Sequence, residues 1–174
     1  PSGEILEGNR KSNMRQIVEE EIRKEGLKLN DIRSREIRDK NVTMNDLEEE
    51  IIKYSTSVST EYFISYKTKL DDKICSFLRL SIPKKRDNFI NELSNSSIIR
   101  EVHVYGQVVG IGKRDPGKSQ HLGLGKEMIN TAENISKRNG FKFISVISAI
   151  GTRKYYEKLG FKKQELYMKK ELQN

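Results

Sequence analysis

The chain has 174 residues, with 34% hydrophobic and 7% aromatic side chains and a formal net charge of +8 at pH 7. This balance excludes an unfolded polyelectrolyte and suits one soluble globular domain with a modest core and an appendage. No apolar run approaches the roughly 20 residues a bilayer span needs, and no signal-peptide pattern precedes the mature-looking start at Pro1, so a cytoplasmic, membrane-free protein is expected.

Ser12 or Asn13 caps a predicted helix running to about Lys24, with Met14, Val18 and Ile22 on one face and Gly26 as its stop. The charged alternation from Asp31 to Asp39 predicts an exposed strand or extended connector. Strands follow near Leu47–Tyr54, Glu61–Thr68 and Ile74–Ile82 in hairpin-like succession, the third ended by Pro83. Lys84–Ser97 is a polar surface excursion with room for one helical turn. A strand from Ile98 to about Val104 leads into the glycine-bearing stretch Gly106–Ser119. Leu124, Met128, Ala132 and Ile135 recur at helical spacing, predicting an amphipathic helix from about Gly123 to Arg138. Phe141–Ala149 is nearly continuous in apolar character and suits a buried strand. Thr152 caps a short helix ending at Gly160, and Glu165–Lys170 forms the last strand. The order predicts an α+β fold with one mixed sheet. No internal repeat is visible.

Cys75, the single cysteine, sits in an apolar strand-like run and is expected in the core. Its isolation excludes an internal disulfide and a cysteine-cluster metal site, so no metal is expected. The charge is unevenly placed. Residues 1–99 carry 18 basic and 18 acidic side chains, and residues 100–174 carry 15 and 7. Such a basic half attracts polyanions, a nucleotide cofactor or RNA, although surface solubility alone accounts for it equally well.

The segment Gln120-His121-Leu122-Gly123-Leu124-Gly125 opens the amphipathic helix. The first amides of a helix lack intrahelical partners and sit at the positive end of its dipole, so they can hold a phosphate. Glycine weakens a helix by about 1 kcal/mol but lets a ligand approach the backbone. No third glycine completes G-x-G-x-x-G and no G-x-x-x-x-G-K-[ST] is present, which disfavours dinucleotide and P-loop readings. The spacing Q-x-x-G-x-G remains, and a plain glycine-bearing loop entering a helix would look the same. About 30 residues on stands Tyr155-Tyr156-Glu157-Lys158-Leu159-Gly160-Phe161.

The order of Q-x-x-G-x-G helix, apolar strand and Tyr-x-x-x-Gly-Phe helix end resembles the GNAT acyl-coenzyme A transferase superfamily. Arg100-Glu101-Val102-His103-Val104-Tyr105-Gly106, Arg114-Asp115-Pro116, Gln120-His121 and Val146-Ile147-Ser148-x-x-Gly151-Thr152-Arg153-x-Tyr155-Tyr156 are similar to the C-terminal acetyltransferase domain of the Elongator catalytic-subunit family, which modifies tRNA. Upstream, Arg33-Ser34-Arg35-Glu36 resembles that family's connector. The likeness covers nearly the whole chain and implies a linker or helical segment over residues 1–40 and a GNAT acetyltransferase domain over 41–174.

The resemblance implies acetyl-coenzyme A as cofactor. Pantetheine amides would pair with the backbone of Glu101, Val102, His103 and Val104. The pyrophosphate would lie on Gln120, Gly123, Leu124, Gly125 and Lys126, and the Tyr156 phenol would lie near the sulfur as a proton donor to the thiolate. Tyr155 is then expected to pack. Glu101 and His103 alternate onto one face and either could relay a proton. The family's radical S-adenosylmethionine domain, with its iron–sulfur cluster, is missing, so the chain is expected to be a fragment. Some relatives have cysteines around this connector, whereas this sequence has Asn30, Asp31 and Ser34 nearby, so any zinc site of theirs is expected to be absent. The implied activity is an acyltransferase that supplies the acetyl group for 5-carboxymethylation of wobble uridine, with tRNA, the radical domain and other Elongator subunits as partners. A protein lysine N-acetyltransferase and a non-enzymatic basic RNA-binding module are the alternatives.

Overall fold

The computed structural model describes residues 13–38, 42–105 and 123–172. The chain divides into two compact units, Pro1–Arg35 and Glu36–Asn174. In the first, helix α1 spans Met14–Lys24, with Asn13 as its N-cap residue and Gly26 (φ 71°) just beyond its end. Within α1, Arg15 bonds Glu19 one turn on, and it also donates to Asp31. The Asp31 carboxylate accepts from Arg15 Nη2 at 2.8 Å and from the Arg33 and Ser34 amides. The Arg15 hydrogen bond holds it below the usual carboxylate range. These bonds explain why Asp31–Arg35 forms turns rather than the expected extended segment: a short carboxylate outcompetes a strand ladder for its own downstream amides. Asp39 lies outside the described residues.

The second unit is built on a seven-stranded sheet. Strands β1 (Leu47–Ser55), β2 (Ser59–Thr68), β3 (Ile74–Pro83) and β4 (Ser96–Val104) run as an antiparallel meander. Helix α2 (Leu124–Arg138) then crosses to β5 (Phe143–Val146), which lies parallel to β4. Helix α3 (Arg153–Lys158) leads to β6 (Lys162–Lys163) and β7 (Met168–Glu171), and the sheet order is β1-β2-β3-β4-β5-β7-β6. A short 3-10 turn, Asn91–Leu93, is the helical turn foreseen in the polar excursion. This mixed sheet flanked by helices is the α+β arrangement expected from the order of elements. Among the described residues no helix is long and apolar enough to cross a membrane.

The helical periodicity of α2 becomes packing. Met128, Ile129, Ala132 and Ile135 bury against Ile64, Leu78, Leu80, Ile99 and Ile144. Each buried Met, Leu or Ile side chain contributes about 1.5–3 kcal/mol on leaving water. Buried hydroxyls fix how β4, β5 and α2 meet: Ser96 Oγ lies 2.7 Å from Ser145 Oγ, and Ser97 bonds Ser136, which donates to the Ala132 carbonyl. The far end of α2 is closed by Arg86, which donates to the Asn139 and Gly140 carbonyls and lays its guanidinium 3.8 Å from the Phe141 ring centre.

Two strand expectations are corrected. Phe141 does not begin a strand, because its amide returns to Ser136 in the helix closure around Gly140 (φ 74°). The ladder runs only from Phe143 to Val146. Similarly, Glu165–Tyr167 is a turn, closed by Gln164 N–H to the Tyr167 carbonyl at 2.8 Å, so the expected last strand is a hairpin of two short ones.

Two outcomes check this core. Ile144→Ala should lower unfolding free energy by about 2–5 kcal/mol in urea with an unchanged m value, as a cavity in a packed sheet does. Cys75 is fully buried, and burial pushes its thiol up to about 12. Labelling by a thiol reagent at pH 8 should therefore follow global unfolding rather than precede it, and fast labelling of the native chain would contradict the packing.

A strand fork facing a helix start

Strand β4 is hydrogen-bonded to β3 out to Ser76↔Val104, but its parallel pairing with β5 stops at Ile99↔Val146. From Arg100 to Val104, the edge of β4 that faced β5 has no strand partner among the described residues. Among the described residues that edge joins no ladder, which is the geometry another extended chain can pair with. The divergence coincides with a bulge: Arg79 faces Glu101 and Leu80 faces Ile99, leaving Arg100 as the extra residue. A bulge bends its strand and increases its twist, which carries β4 away from β5.

The fork brings several expected residues together. Val102 and Val104 are half-buried against the core on the α2 side. Glu101 and His103 share the opposite face, with His103 Nε2 3.0 Å from Glu101 Oε1 and Arg79 Nη1 3.3 Å from Glu101 Oε2. The His103 ring stacks on Phe77 with centroids 5.2 Å apart. Its imidazole is half-exposed.

At the mouth of the fork stands the start of α2. Gly123 takes a left-handed φ of 73° and its carbonyl accepts the Lys126 and Glu127 amides. Leu124 is fully buried in a second cluster with Ile37, Val42, Leu47 and Cys75, which anchors the first turn. The Leu124 and Gly125 amides lie at the uncompensated end of the helix. Lys126 is exposed beside them. A Cβ on Gly125 would stand 2.8 Å from the Tyr155 hydroxyl and 3.6 Å from a Val104 methyl. Strand end, helix start and α3 thus converge on one glycine. Gln120 lies outside the described residues.

The two tyrosines of α3 divide their roles by face. Tyr155 is half-exposed and turns its hydroxyl to Gly125, a position the sequence did not reveal. Tyr156 is buried, edge-on to Phe161 and to Tyr155, and burial followed by the Tyr155 neighbour pushes its phenol up to about 12. Sequence reasoning also missed Glu61, a buried carboxylate on the face of the sheet opposite α2. The only available signal was Ser59 and Glu61 at strand period two.

No protein-family model matches the chain. It is 36% identical to Elongator complex protein 3 of Schizosaccharomyces pombe over 174 residues, covering 95% of this chain and 32% of that protein. The human Elongator complex protein 3 is 34% identical, with 97% of this chain and 32% of that protein covered. An archaeal Elp3 structure from Methanocaldococcus infernus, lacking residues 1–46, superposes with a TM-score of 0.76 at 32% identity, covering 99% of this chain and 42% of that one. The chain therefore belongs to the Elongator complex protein 3 family, and it spans about a third of the length of the curated relatives it matches.

Proposed function

We propose that this chain is the acetyl-coenzyme A binding acetyltransferase domain of a tRNA-modifying enzyme. It would supply the acetyl group for 5-carboxymethylation of wobble uridine, in company with a radical S-adenosylmethionine domain and other Elongator subunits. The observation that carries the reading is the fork. An unpaired β4 edge leads directly to a glycine-bearing helix start, the arrangement an extended amide-containing arm ending in a diphosphate requires.

Acetyl-coenzyme A brings an acyl group activated as a thioester. In this reading the backbone of Glu101, Val102, His103 and Val104 pairs with the pantetheine amides. The amides of Gly123, Leu124 and Gly125, with Gln120 and the Lys126 ammonium, hold the pyrophosphate. Tyr156 is the proton donor to the departing sulfur. Burial pushes its phenol up to about 12, so it carries its proton near neutral pH. The basic excess of residues 100–174 supports a polyanionic partner, and tRNA phosphates fit it.

Four outcomes test this proposal. Calorimetry should show saturable acetyl-coenzyme A binding, and absence of binding alongside intact tRNA affinity would leave only an RNA-binding module. Gly125→Ala should weaken that binding about tenfold, near 1.4 kcal/mol, because the methyl stands before the amides. Its folded stability should change little, since the crowded atom is the end of a tyrosine side chain. Tyr156→Phe should lower tRNA-stimulated coenzyme A release by about 10²-fold with cofactor affinity retained. Affinity for tRNA should drop by at least about tenfold between 50 and 200 mM salt. Saturable acetylation of a lysine peptide without tRNA would favour a protein substrate instead.

A further inference from the structure

The bulge in β4 turns two successive side chains to one face of the sheet. Ile99 and Val102 pack with the core on the α2 side, and between them Arg100 and Glu101 both emerge on the opposite face. Strict alternation without the extra residue would carry Glu101 into the apolar layer beneath α2. The hydrophobic pattern therefore requires a bulge at this point. It does not fix how far the strand bends, which depends on what the emerging charges meet.

They meet partners of opposite sign on different strands. Glu101 Oε2 lies 3.3 Å from Arg79 Nη1 on the adjacent β3. Arg100 Nη1 instead reaches over β3 toward β2, where Glu61 Oε2 stands 3.8 Å away. Register sets Glu61 opposite Ser81, and Ser81 opposite Ile98, the residue two before Arg100. Glu61 is held firmly: it is 3% exposed, and its Oε1 accepts from Ser59 Oγ at 2.6 Å and Ser81 Oγ at 2.7 Å. Its Oε2 is buried without a hydrogen bond. A buried carboxylate oxygen with no donor is costly unless a cation compensates it, and the half-exposed Arg100 supplies that charge.

We propose that Glu61 is a positioning residue for cofactor binding. Fixed by two serines, it draws Arg100 across β3, and this pull sets the bend that opens the β4 edge from Arg100 to Val104. The inference rests on the acetyl-coenzyme A reading given above, in which the backbone of Glu101 to Val104 pairs with the pantetheine amides. Glu61 itself touches no cofactor atom. A change in the bend misplaces all of those donors and acceptors together, which a preformed site cannot absorb. The sign of the charge separates this role from a field effect. Coenzyme A is anionic, so deleting a carboxylate would tighten its binding through the field alone. Deleting the clamp weakens it.

The test is Glu61→Gln in this chain, which keeps an acceptor for both serines and removes the charge that holds Arg100. Calorimetry should show acetyl-coenzyme A bound about fivefold more weakly, and in tRNA-stimulated coenzyme A release the loss should fall on KM rather than kcat. Arg100→Met should weaken binding equally, Arg100→Lys should retain most of the affinity, and the double variant Glu61→Gln/Arg100→Met should be no weaker than either alone. Unchanged or tighter binding by Glu61→Gln, or a double variant weakened by the product of the two effects, about 25-fold, overturns the clamp. Hydrogen exchange of the ligand-free chain gives a readout that needs no cofactor. The amides from Glu101 to Val104 should exchange faster in Glu61→Gln and in Arg100→Met than in the parent, and identical exchange overturns the proposal. Should Glu61→Gln fail to fold, the contrast between methionine and lysine at position 100, together with the exchange of Arg100→Met, decides the matter. A parent chain that binds no acetyl-coenzyme A overturns the reading beneath, while the exchange measurement still judges the clamp on its own.

Discussion

The early end of hydrogen bonding between β4 and β5 governs this structure. Up to Ile99 and Val146 the parallel pair is held by a ladder and by buried serine contacts on its flanks. One residue later, Arg100 bulges and the ladder stops. A strand interior left unpaired exposes backbone donors and acceptors whose desolvation is expensive without a partner. The fold tolerates this because β4 stays paired to β3 on both sides of the Arg100 bulge, from Ile98 to Val104, and because Val102 and Val104 still bury against the core. The open edge is thus supported from beneath, and its direction is set by the same packing that fixes α2.

The position of α2 follows from two separate anchors. Its apolar stripe lies on the sheet, while Leu124 is locked into a different cluster near Ile37 and Cys75. A helix held at its first residue presents its terminal amides in a fixed direction. This explains why Gly123 carries a left-handed φ and why Gly125 approaches the Tyr155 hydroxyl so closely. Electrostatics then sort by face. The α2 side carries helix amides and apolar side chains, and the opposite face carries Arg79, Glu101, His103 and, further along, Glu61 with Arg100.

How much of this was legible from residues alone depended on whether the signal was periodic. Strands β1 to β4 and helix α2 were placed within a few residues, because alternation and 3.6-residue recurrence leave a direct trace. The ends of Phe141–Ala149 were not legible, since a continuous apolar run does not say where a neighbouring strand diverges. Within Glu165–Lys170, Leu166 stands largely exposed in the turn that precedes the last strand. The candidate site divides the same way. Glu101 and His103 were foreseen on one face from strand alternation, and they touch. The approach of Tyr155 to Gly125 depends on the relative placement of α3 and α2, and no local pattern encodes it. Glu61 was hidden because a charged residue in an alternating strand ordinarily reads as solvent-facing, and only the tertiary environment shows it buried between two serine hydroxyls.

The most direct measurement is a crystal structure of this chain with a non-hydrolysable acetyl-coenzyme A analogue. The account predicts the diphosphate on the amides of Leu124 and Gly125, pantetheine amides paired to β4 between Glu101 and Val104, and the acyl end at the point where β4 leaves β5. An analogue bound elsewhere, or a β4 edge covered by protein while the ligand is bound, would contradict it.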